Sequence, residues 1–211
     1  MRWSAGQRLN ALLAEAGIVP LDAATLAQFE VYISLILRWN TRLNLTSVRD
    51  ESTIISNHLV ESIACARALP DGVGILLDYG SGAGLPGIPI ALCRTGISVT
   101  LAESQSKKAA FLQEVVRVLG IGTKVHAARA ESLTGRFDCI TLRAVDKMPK
   151  AVAAATRLVV HGGWLALMAT RGDLTSLRTA AGPEFTWNET LPLPFSENRI
   201  LALGRLLNSQ V

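Results

Sequence analysis

Residues 77–89, LDYGSGAGLPGIP, constrain the fold of this 211-residue chain more than any other segment. A short apolar strand runs into a turn with glycine at alternate positions, Gly80, Gly82 and Gly84, and a new helix follows. Because glycine has no Cβ, this turn can bend back sharply and let a ligand lie against the main chain. The order of strand, glycine turn and helix predicts a nucleotide-type cofactor at one edge of a parallel sheet.

Two carboxylates stand at predicted strand ends beside this turn. Asp78 lies at the carboxyl end of the first strand, and Glu103 ends a second apolar run, 99–102, nineteen residues after Gly84. An acid at the end of the neighbouring strand can accept hydrogen bonds from ribose hydroxyls. The spacing therefore predicts one cofactor pocket between the two strands.

Hydrophobic patterning predicts a helical extension over residues 1–70 and an α/β domain over 71–211. Apolar residues recur at helical spacing within 7–16, 23–42 and 52–69, and Asp22 is placed to cap the second of these helices. From Gly74 onward, strands alternate with helices such as 106–119, which is typical of a mostly parallel sheet with helices on both faces. A terminal antiparallel hairpin completes a seven-stranded sheet, whose predicted strands are 75–79, 98–102, 124–127, 139–143, 164–168, 185–190 and 199–206.

The net charge of +4 permits a polyanionic partner without identifying one. The sequence has no lysine or arginine run and no basic tract interleaved with aromatic residues, so contacts to nucleic acid would have to come from a folded surface. No uncharged apolar run reaches the roughly 20 residues that span a bilayer, and the first residues lack the pattern of a signal peptide. These observations predict a cytoplasmic protein without a membrane segment.

The cysteines and histidines do not predict a metal site. Cys65, Cys93 and Cys139 are far apart in apolar contexts, which is typical of buried thiols in a reducing compartment. His58 has no ligand spacing with the other two histidines, so a structural hydrogen bond is the favoured role for it.

A glycine turn alone does not select the cofactor, because nicotinamide, flavin and S-adenosylmethionine enzymes all use one. The dinucleotide signature is G-x-G-x-x-G, whereas this chain has G-x-G-x-G-x-x-G over 80–87, with Pro86 opening the next helix. S-adenosylmethionine has no pyrophosphate, so a broader turn that receives its amino acid part is suitable. The spacing favours S-adenosylmethionine and leaves a nicotinamide dehydrogenase as a weaker alternative.

The turn closely resembles that of the bacterial ribosomal RNA small subunit methyltransferase G family, also called glucose-inhibited division protein B. The resemblance extends over about residues 8 to 207, and its further matches are RWN at 38–40, LNLT at 43–46, VRD at 48–50, His58 with Glu61 and Ser62, Glu103 and Ser104 with Lys107, FL at 111–112, RAE at 129–131, FD at 137–138, and Arg143 with Ala144. It implies a Rossmann-like class I methyltransferase that moves a methyl group from S-adenosylmethionine to N7 of a guanine in 16S rRNA, guanine 527 in the usual rRNA numbering. S-adenosylhomocysteine is the product, and the implied partner is 16S rRNA or the small ribosomal subunit.

The resemblance also implies roles for single residues in cofactor binding. The glycine turn would wrap the methionine part, Glu103 would bind the ribose, and Ala130 with Glu131 would hold the adenine. Family members often carry aspartate at the ribose position, and the longer glutamate changes the reach without changing the chemistry. Glu131 could instead be a solvated loop acid. The complete implied set is Asp78, Gly80, Gly82, Gly84, Leu85, Glu103, Ser104, Gln105, Ala130, Glu131 and Arg143.

Guanine N7 carries an exposed lone pair and no proton, so its methylation needs no general base. In agreement with this, neither an Asn/Asp-Pro-Pro-Tyr string nor a Pro-Cys motif follows the fourth predicted strand, which ends at Arg143. The resemblance makes Arg143 the candidate catalytic residue, holding guanine O6 or a flanking phosphate. Lys107, Arg129 and Asn44 are the other candidate rRNA contacts, and a surface charge with a buried stem is the alternative for each basic residue.

One departure from the family and two alternative functions stay open. Met168 stands where family members commonly carry a lysine near the end of the fifth strand, and what replaces that lysine is open. The alternatives are a methyltransferase that acts on another substrate and a non-catalytic RNA-binding factor in ribosome assembly. The intact glycine turn, Glu103 and Arg143 favour an enzyme, which we expect to be a monomer without a metal ion.

Overall fold

The structure is a computed structural model that describes residues 3–41, 43, 45 and 50–207. Its strands are β1 (Ile75–Tyr79), β2 (Ser98–Ala102), β3 (Lys124–His126), β4 (Phe137–Arg143), β5 (Val159–Thr170), β6 (Phe185–Trp187), β7 (Leu191–Pro192) and β8 (Arg199–Leu206). Its α-helices are α1 (Ala5–Glu15), α2 (Ala23–Asn40), α3 (Glu51–Ile54), α4 (Val60–Ala68), α5 (Gly87–Cys93), α6 (Ser106–Leu119), α7 (Met148–Ala155) and α8 (Leu174–Ala181). Short 3-10 turns span Ala130–Ser132, Thr156–Leu158 and Arg171–Asp173.

All strands belong to one sheet with the order β3-β2-β1-β4-β5-β8-β6, and β7 also pairs with β8. The first five strands are parallel, and β8 runs antiparallel to both β5 and β6. The predicted α/β fold with a mostly parallel sheet is confirmed. Because β8 is reversed, its first residue, Arg199, lies beside Thr170 at the carboxyl edge of the parallel strands.

Over the residues that the structure describes, the sheet has eight strands, where the sequence predicts seven. Only the first half of the predicted strand 185–190 is a strand, β6, and β7 lies beyond its predicted end on the same edge of β8. From Trp187, which pairs with Gly204, to Leu191, which pairs with Leu201, the chain advances four residues while β8 advances three. This extra residue interrupts the ladder, so two short strands pair with this edge of β8.

The helices before the sheet follow the predicted pattern, and α1 and α2 each have a side-chain N-cap. Ser4 accepts a hydrogen bond from the Gln7 backbone in a capping box, and Asp22 accepts one from the Thr25 backbone at 2.9 Å. The third predicted helix, 52–69, comprises α3, a π-helical turn (Ile55–Leu59) and α4. The π-helical turn carries His58, and such turns are frequent at functional sites.

One hydrophobic cluster joins these helices to the sheet. Phe29 of α2 and Ile63 of α4 belong to the same buried set as Leu76 of β1 and Leu112 of α6. Tyr32 of α2 is completely buried, and its hydroxyl donates a hydrogen bond of 2.6 Å to the carbonyl of Ala83. The helical segment therefore holds the glycine turn directly. The division of the chain at residue 70 stays a prediction.

The three cysteines are not joined in disulfides. Cys65 and Cys139 are buried and Cys93 is partly buried, and all three are free thiols. Burial raises the pKa of Cys65 to about 12 and that of Cys93 to about 11, so neither is a reactive thiolate near neutral pH. Within the described ranges, no helix has the length and apolar character needed to cross a membrane.

We predict that Tyr32→Phe lowers the free energy of unfolding by about 1–2 kcal/mol, because the Ala83 carbonyl loses its buried donor. Tyr79→Phe is the matched control, since the Tyr79 hydroxyl pairs with Glu131, an exposed carboxylate that water can satisfy. Urea unfolding of both variants measures the difference. A loss no larger for Tyr32→Phe than for Tyr79→Phe would contradict the role of this bond.

Candidate active site

The glycine turn after β1 adopts backbone angles that favour glycine. Gly82 has φ +55° and faces open space, where a Cβ would meet no atom closer than 3.9 Å. Gly84 has φ +87°, and a Cβ there would lie 2.6 Å from Ile88 Cγ1 and 3.1 Å from the Tyr32 hydroxyl. Gly82 thus leaves room for a ligand, whereas Gly84 permits close packing beneath the turn.

The turn is fixed between β1 and β2 by hydrogen bonds from Ser81. Its backbone N–H donates to the Ala102 carbonyl at 3.0 Å, and its hydroxyl donates to the Asp78 carbonyl at 2.9 Å. The Gly84 N–H in turn donates to the Ser81 carbonyl at 2.7 Å. The main chain of the turn is therefore held in place without help from a ligand.

Asp78 lies below the turn, is 1% exposed and does not line the cavity beside the turn. Its carboxylate accepts hydrogen bonds from the Thr141 hydroxyl at 2.8 Å and from the Gly87 N–H at 3.2 Å, at the start of α5. Burial raises the pKa of Asp78 to about 6, while these hydrogen bonds favour the ionised form. Asp78 thus supports the turn from within the core.

Glu103 lies beside the turn, at the end of β2. The residue is 6% exposed, and its carboxylate accepts hydrogen bonds from the Gly82 N–H at 2.9 Å and the Gln105 N–H at 2.7 Å. It borders a cavity of about 430 Å³, which we call the cofactor cavity. Of the predicted cofactor residues, the structure brings together here Gly80, Gly82, Leu85, Glu103, Ser104, Gln105 and Arg143.

Several predicted residues lie away from the cofactor cavity. Ala130 is buried in the 3-10 turn after β3, and its neighbours Arg129 and Glu131 are exposed, with Glu131 hydrogen-bonded to Tyr79. Lys107 is exposed on α6 and borders a surface groove with Trp39. Lys108, one residue further on, lines the cofactor cavity instead.

The substrate candidate Asn44 lies outside the described residues, as do Thr46 and Arg49. Asn40, at the end of α2, is buried and accepts a hydrogen bond from the Leu45 N–H at 3.0 Å. Leu45 itself lines the cofactor cavity. The described part of this corner therefore adjoins the cofactor cavity.

A second cavity of about 440 Å³ adjoins the cofactor cavity, and we call it the arginine cavity. The two share four lining residues, His58, Arg143, Ala144 and Val145. The arginine cavity is further lined by Glu61, Met148, Met168, Ala169, Thr170, Asp173, Leu193 and Arg199. The side chain of Arg143 thus stands where the two cavities meet.

A buried carboxylate holds two arginines at the arginine cavity. Glu61 of α4 is fully buried, with Oε2 3.4 Å from Arg143 Nη2 and Oε1 2.8 Å from Arg199 Nε. Burial raises the pKa of Glu61, and the two guanidiniums oppose this by favouring the carboxylate. Burial likewise lowers the pKa of Arg143, which Glu61 opposes. We infer that the three groups remain charged, because each charge has an opposite one within ion-pair distance.

His58 lies against the same guanidinium as a neutral imidazole. Arg143 Nη2 lies 2.7 Å from His58 Nδ1 and donates to the Asn57 carbonyl at 3.2 Å. Since a guanidinium only donates hydrogen bonds, Nδ1 must accept and the ring proton must be on Nε2. Burial, and next the charge of Arg143, lower the pKa of His58 to about 4.

Sequence reasoning did not include Glu61 and Arg199 among the site residues. Glu61 was visible only as part of a matching segment, with nothing to show that it is buried. Arg199 reaches the site because β8 is reversed, so its first residue lies at the carboxyl edge of the sheet. A prediction of that strand's direction could have found it. Among the described residues, no group of three or more His, Cys, Asp or Glu side chains is arranged to hold a metal ion.

Comparison with known proteins identifies the family. The family model for rRNA small subunit methyltransferase G matches residues 25–183. The ribosomal RNA small subunit methyltransferase G of Stenotrophomonas maltophilia strain K279a is 43% identical over 151 residues, which is 70% of each chain. That of Xanthomonas axonopodis pv. citri strain 306 is 40% identical over 177 residues, or 82% of each chain. This chain belongs to the rRNA small subunit methyltransferase G family.

Solved structures agree on the fold. A methyltransferase from Pyrococcus furiosus has a TM-score of 0.60 at 12% identity, covering 85% of this chain and 98% of that one. TYW2 from P. horikoshii in complex with MeSAdo has a TM-score of 0.60 at 13% identity, covering 72% and 63%. The predicted class I methyltransferase fold is confirmed, and with the family S-adenosylmethionine is established as the methyl donor.

We predict that Gly84→Ala weakens S-adenosylmethionine binding at least tenfold, because the added methyl group meets Ile88 and the backbone angle is strained for alanine. Gly96→Ala is the control, since its Cβ would meet nothing within 4 Å. Isothermal titration with S-adenosylmethionine measures both. Equal affinity in the two variants would show that the turn tolerates a side chain at position 84.

We also predict that His58 stays neutral well below pH 6.5 and titrates near pH 4. With its folded pKa below the ordinary value, His58 makes the protein less stable as the pH falls from 6.5 to 4. Arg143→Gln removes the adjacent positive charge, so the pKa of His58 should rise towards 6.5. Nitrogen NMR of the imidazole measures both, and a proton on Nδ1 at neutral pH would contradict the assigned contact.

Proposed function

We propose that this family member transfers a methyl group from S-adenosylmethionine to N7 of a guanine in 16S rRNA, guanine 527 in the usual numbering. The observation that carries the proposal is the junction of the two cavities at Arg143. A base in the arginine cavity would lie directly beside the cofactor cavity, with the Arg143 guanidinium between them. Such proximity is the main requirement for this chemistry.

The residues of the cofactor cavity fit S-adenosylmethionine. The open backbone at Gly82 would receive the methionine part, and the Glu103 oxygens have further lone pairs to accept ribose hydroxyls. Ala130 and Glu131 do not line this cavity, and they are assigned to the adenine end because they follow β3, which pairs with β2 just before Glu103. Bound there, S-adenosylmethionine supplies an electrophilic methyl group.

The described residues of the arginine cavity suit a purine acceptor. Met148, Met168 and Leu193 provide apolar walls for a flat ring, and Arg143 provides donors for the acceptors on the guanine Hoogsteen edge. Methylation at N7 leaves a positive charge on the base, so Arg143 is assigned to O6 and not to N7. We propose Arg143 as the catalytic residue in this sense.

The surface contacts to rRNA are also part of the proposal. Lys107, with Trp39 and Arg38, borders a groove of about 560 Å³ on the side of α6. We assign Lys107, Arg129 and Asn44 to rRNA phosphate or base contacts, in keeping with the net positive charge. The enzyme is proposed to act as a monomer in the cytoplasm, without a resident metal ion.

We predict that the purified protein methylates small ribosomal subunits or 16S rRNA, and that Arg143→Ala lowers kcat at least tenfold. Arg117→Ala is the control, because Arg117 is exposed and pairs only with Glu114 in the described structure. Mapping of N7-methylguanosine in the product identifies the position. Label on an acceptor other than RNA would favour a different methyltransferase, and unchanged turnover of Arg143→Ala would remove its assigned role.

A further inference from the structure

The ion cluster at the arginine cavity joins three separate parts of the chain. Glu61 comes from α4, Arg143 from the end of β4 and Arg199 from the start of β8. The side chain of Glu61 is fully buried, whereas those of Arg143 and Arg199 are 14% and 33% exposed. One carboxylate therefore pairs with two guanidiniums that are accessible from the cavity.

A buried carboxylate contributes little net stability to the contact between a helix and a sheet. Removing its hydration costs free energy that the two ion pairs only offset, and an apolar side chain of similar size often serves stability equally well. The charge at position 61 thus calls for a reason beyond packing. Its two partners both line the cavity assigned to the acceptor base.

We propose that Glu61 is a positioning residue for the acceptor guanine, which rests on the proposed function. Its carboxylate sets the orientation of Arg143 and Arg199 along one wall of the arginine cavity. Of the described residues that line this cavity, these two alone are lysine or arginine. They therefore supply its cationic donors, and their placement decides how the Hoogsteen edge of guanine is held.

Glu61 also sets the charge that the base meets. Two guanidiniums, the carboxylates of Glu61 and Asp173 and a neutral His58 give the lining of the cavity a formal net charge of 0. Without the Glu61 carboxylate the net charge is +1, beside a base that becomes positive when N7 is methylated. In a buried site this repulsion is weakly screened. Loss of the Glu61 carboxylate should therefore slow formation of the methylated base more than it changes cofactor binding.

The test compares Glu61→Gln, which keeps the shape and removes the charge, with the wild type. We expect kcat on small subunits to fall at least tenfold, while the Kd for S-adenosylmethionine stays within twofold. Glu61→Asp should recover part of the lost kcat, because it restores the charge with one methylene less. Glu114→Gln is the matched control, since Glu114 also pairs with arginines but lies away from both cavities.

A second readout does not depend on activity. In the wild type Arg143 Nη2 donates a hydrogen bond to Glu61 Oε2 at 3.4 Å, so the NMR signal of that guanidinium should exchange slowly with water. In Glu61→Gln that exchange should become faster. If Glu61→Gln does not fold, Arg199→Gln takes its place, because this side chain is partly exposed; it should lose kcat at least tenfold with unchanged cofactor affinity.

The outcomes separate the two proposals. A wild type that methylates small subunits, together with full kcat in Glu61→Gln or in Arg199→Gln, would overturn the role of Glu61 and leave the proposed function intact. If both variants fold, the double variant should lose less than the product of the single losses, and independent losses would also overturn it. A wild type that is inactive on RNA would refute the proposed function itself.

Discussion

The attachment of the glycine turn to the second strand is the interaction on which the rest of the site depends. Ser81 donates to the Ala102 carbonyl, and Gly82 donates to the carboxylate of Glu103. These bonds place an open stretch of main chain beside a strand-end acid, which is the arrangement that a nucleoside-bearing cofactor requires. Tyr32 and Asp78 hold the turn from below, through buried hydrogen bonds to Ala83 and Gly87.

The helices before the sheet line the arginine cavity as well as contributing to the core. They supply His58 from a π-helical turn and Glu61 from the following helix, and both side chains face Arg143 of the fourth strand. The neutral imidazole and the buried carboxylate fix this arginine where the two cavities meet. Orientation of the arginines thus depends on contacts between distant segments, and the sheet alone would not provide it.

Much of this fold could be predicted from the sequence because its signals are local. The strands 75–79 and 98–102 and the helix 106–119 agree residue for residue with the structure, since apolar runs, glycine and helix periodicity mark their ends. The residues of the candidate site were harder to predict from the sequence. Neighbouring residues on a helix point about 100° apart, so Lys108 and not Lys107 lines the cofactor cavity. Glu61 and Arg199 meet only through tertiary packing, which no spacing in the sequence records.

The most direct test of the account is a crystal structure of the protein with S-adenosylhomocysteine. The ribose hydroxyls should lie within hydrogen-bond distance of the Glu103 carboxylate, and the sulfur should face the junction with the arginine cavity at Arg143. A ligand that occupies the arginine cavity instead, or that leaves Glu103 bonded only to Gly82 and Gln105, would contradict the assignment of the two cavities.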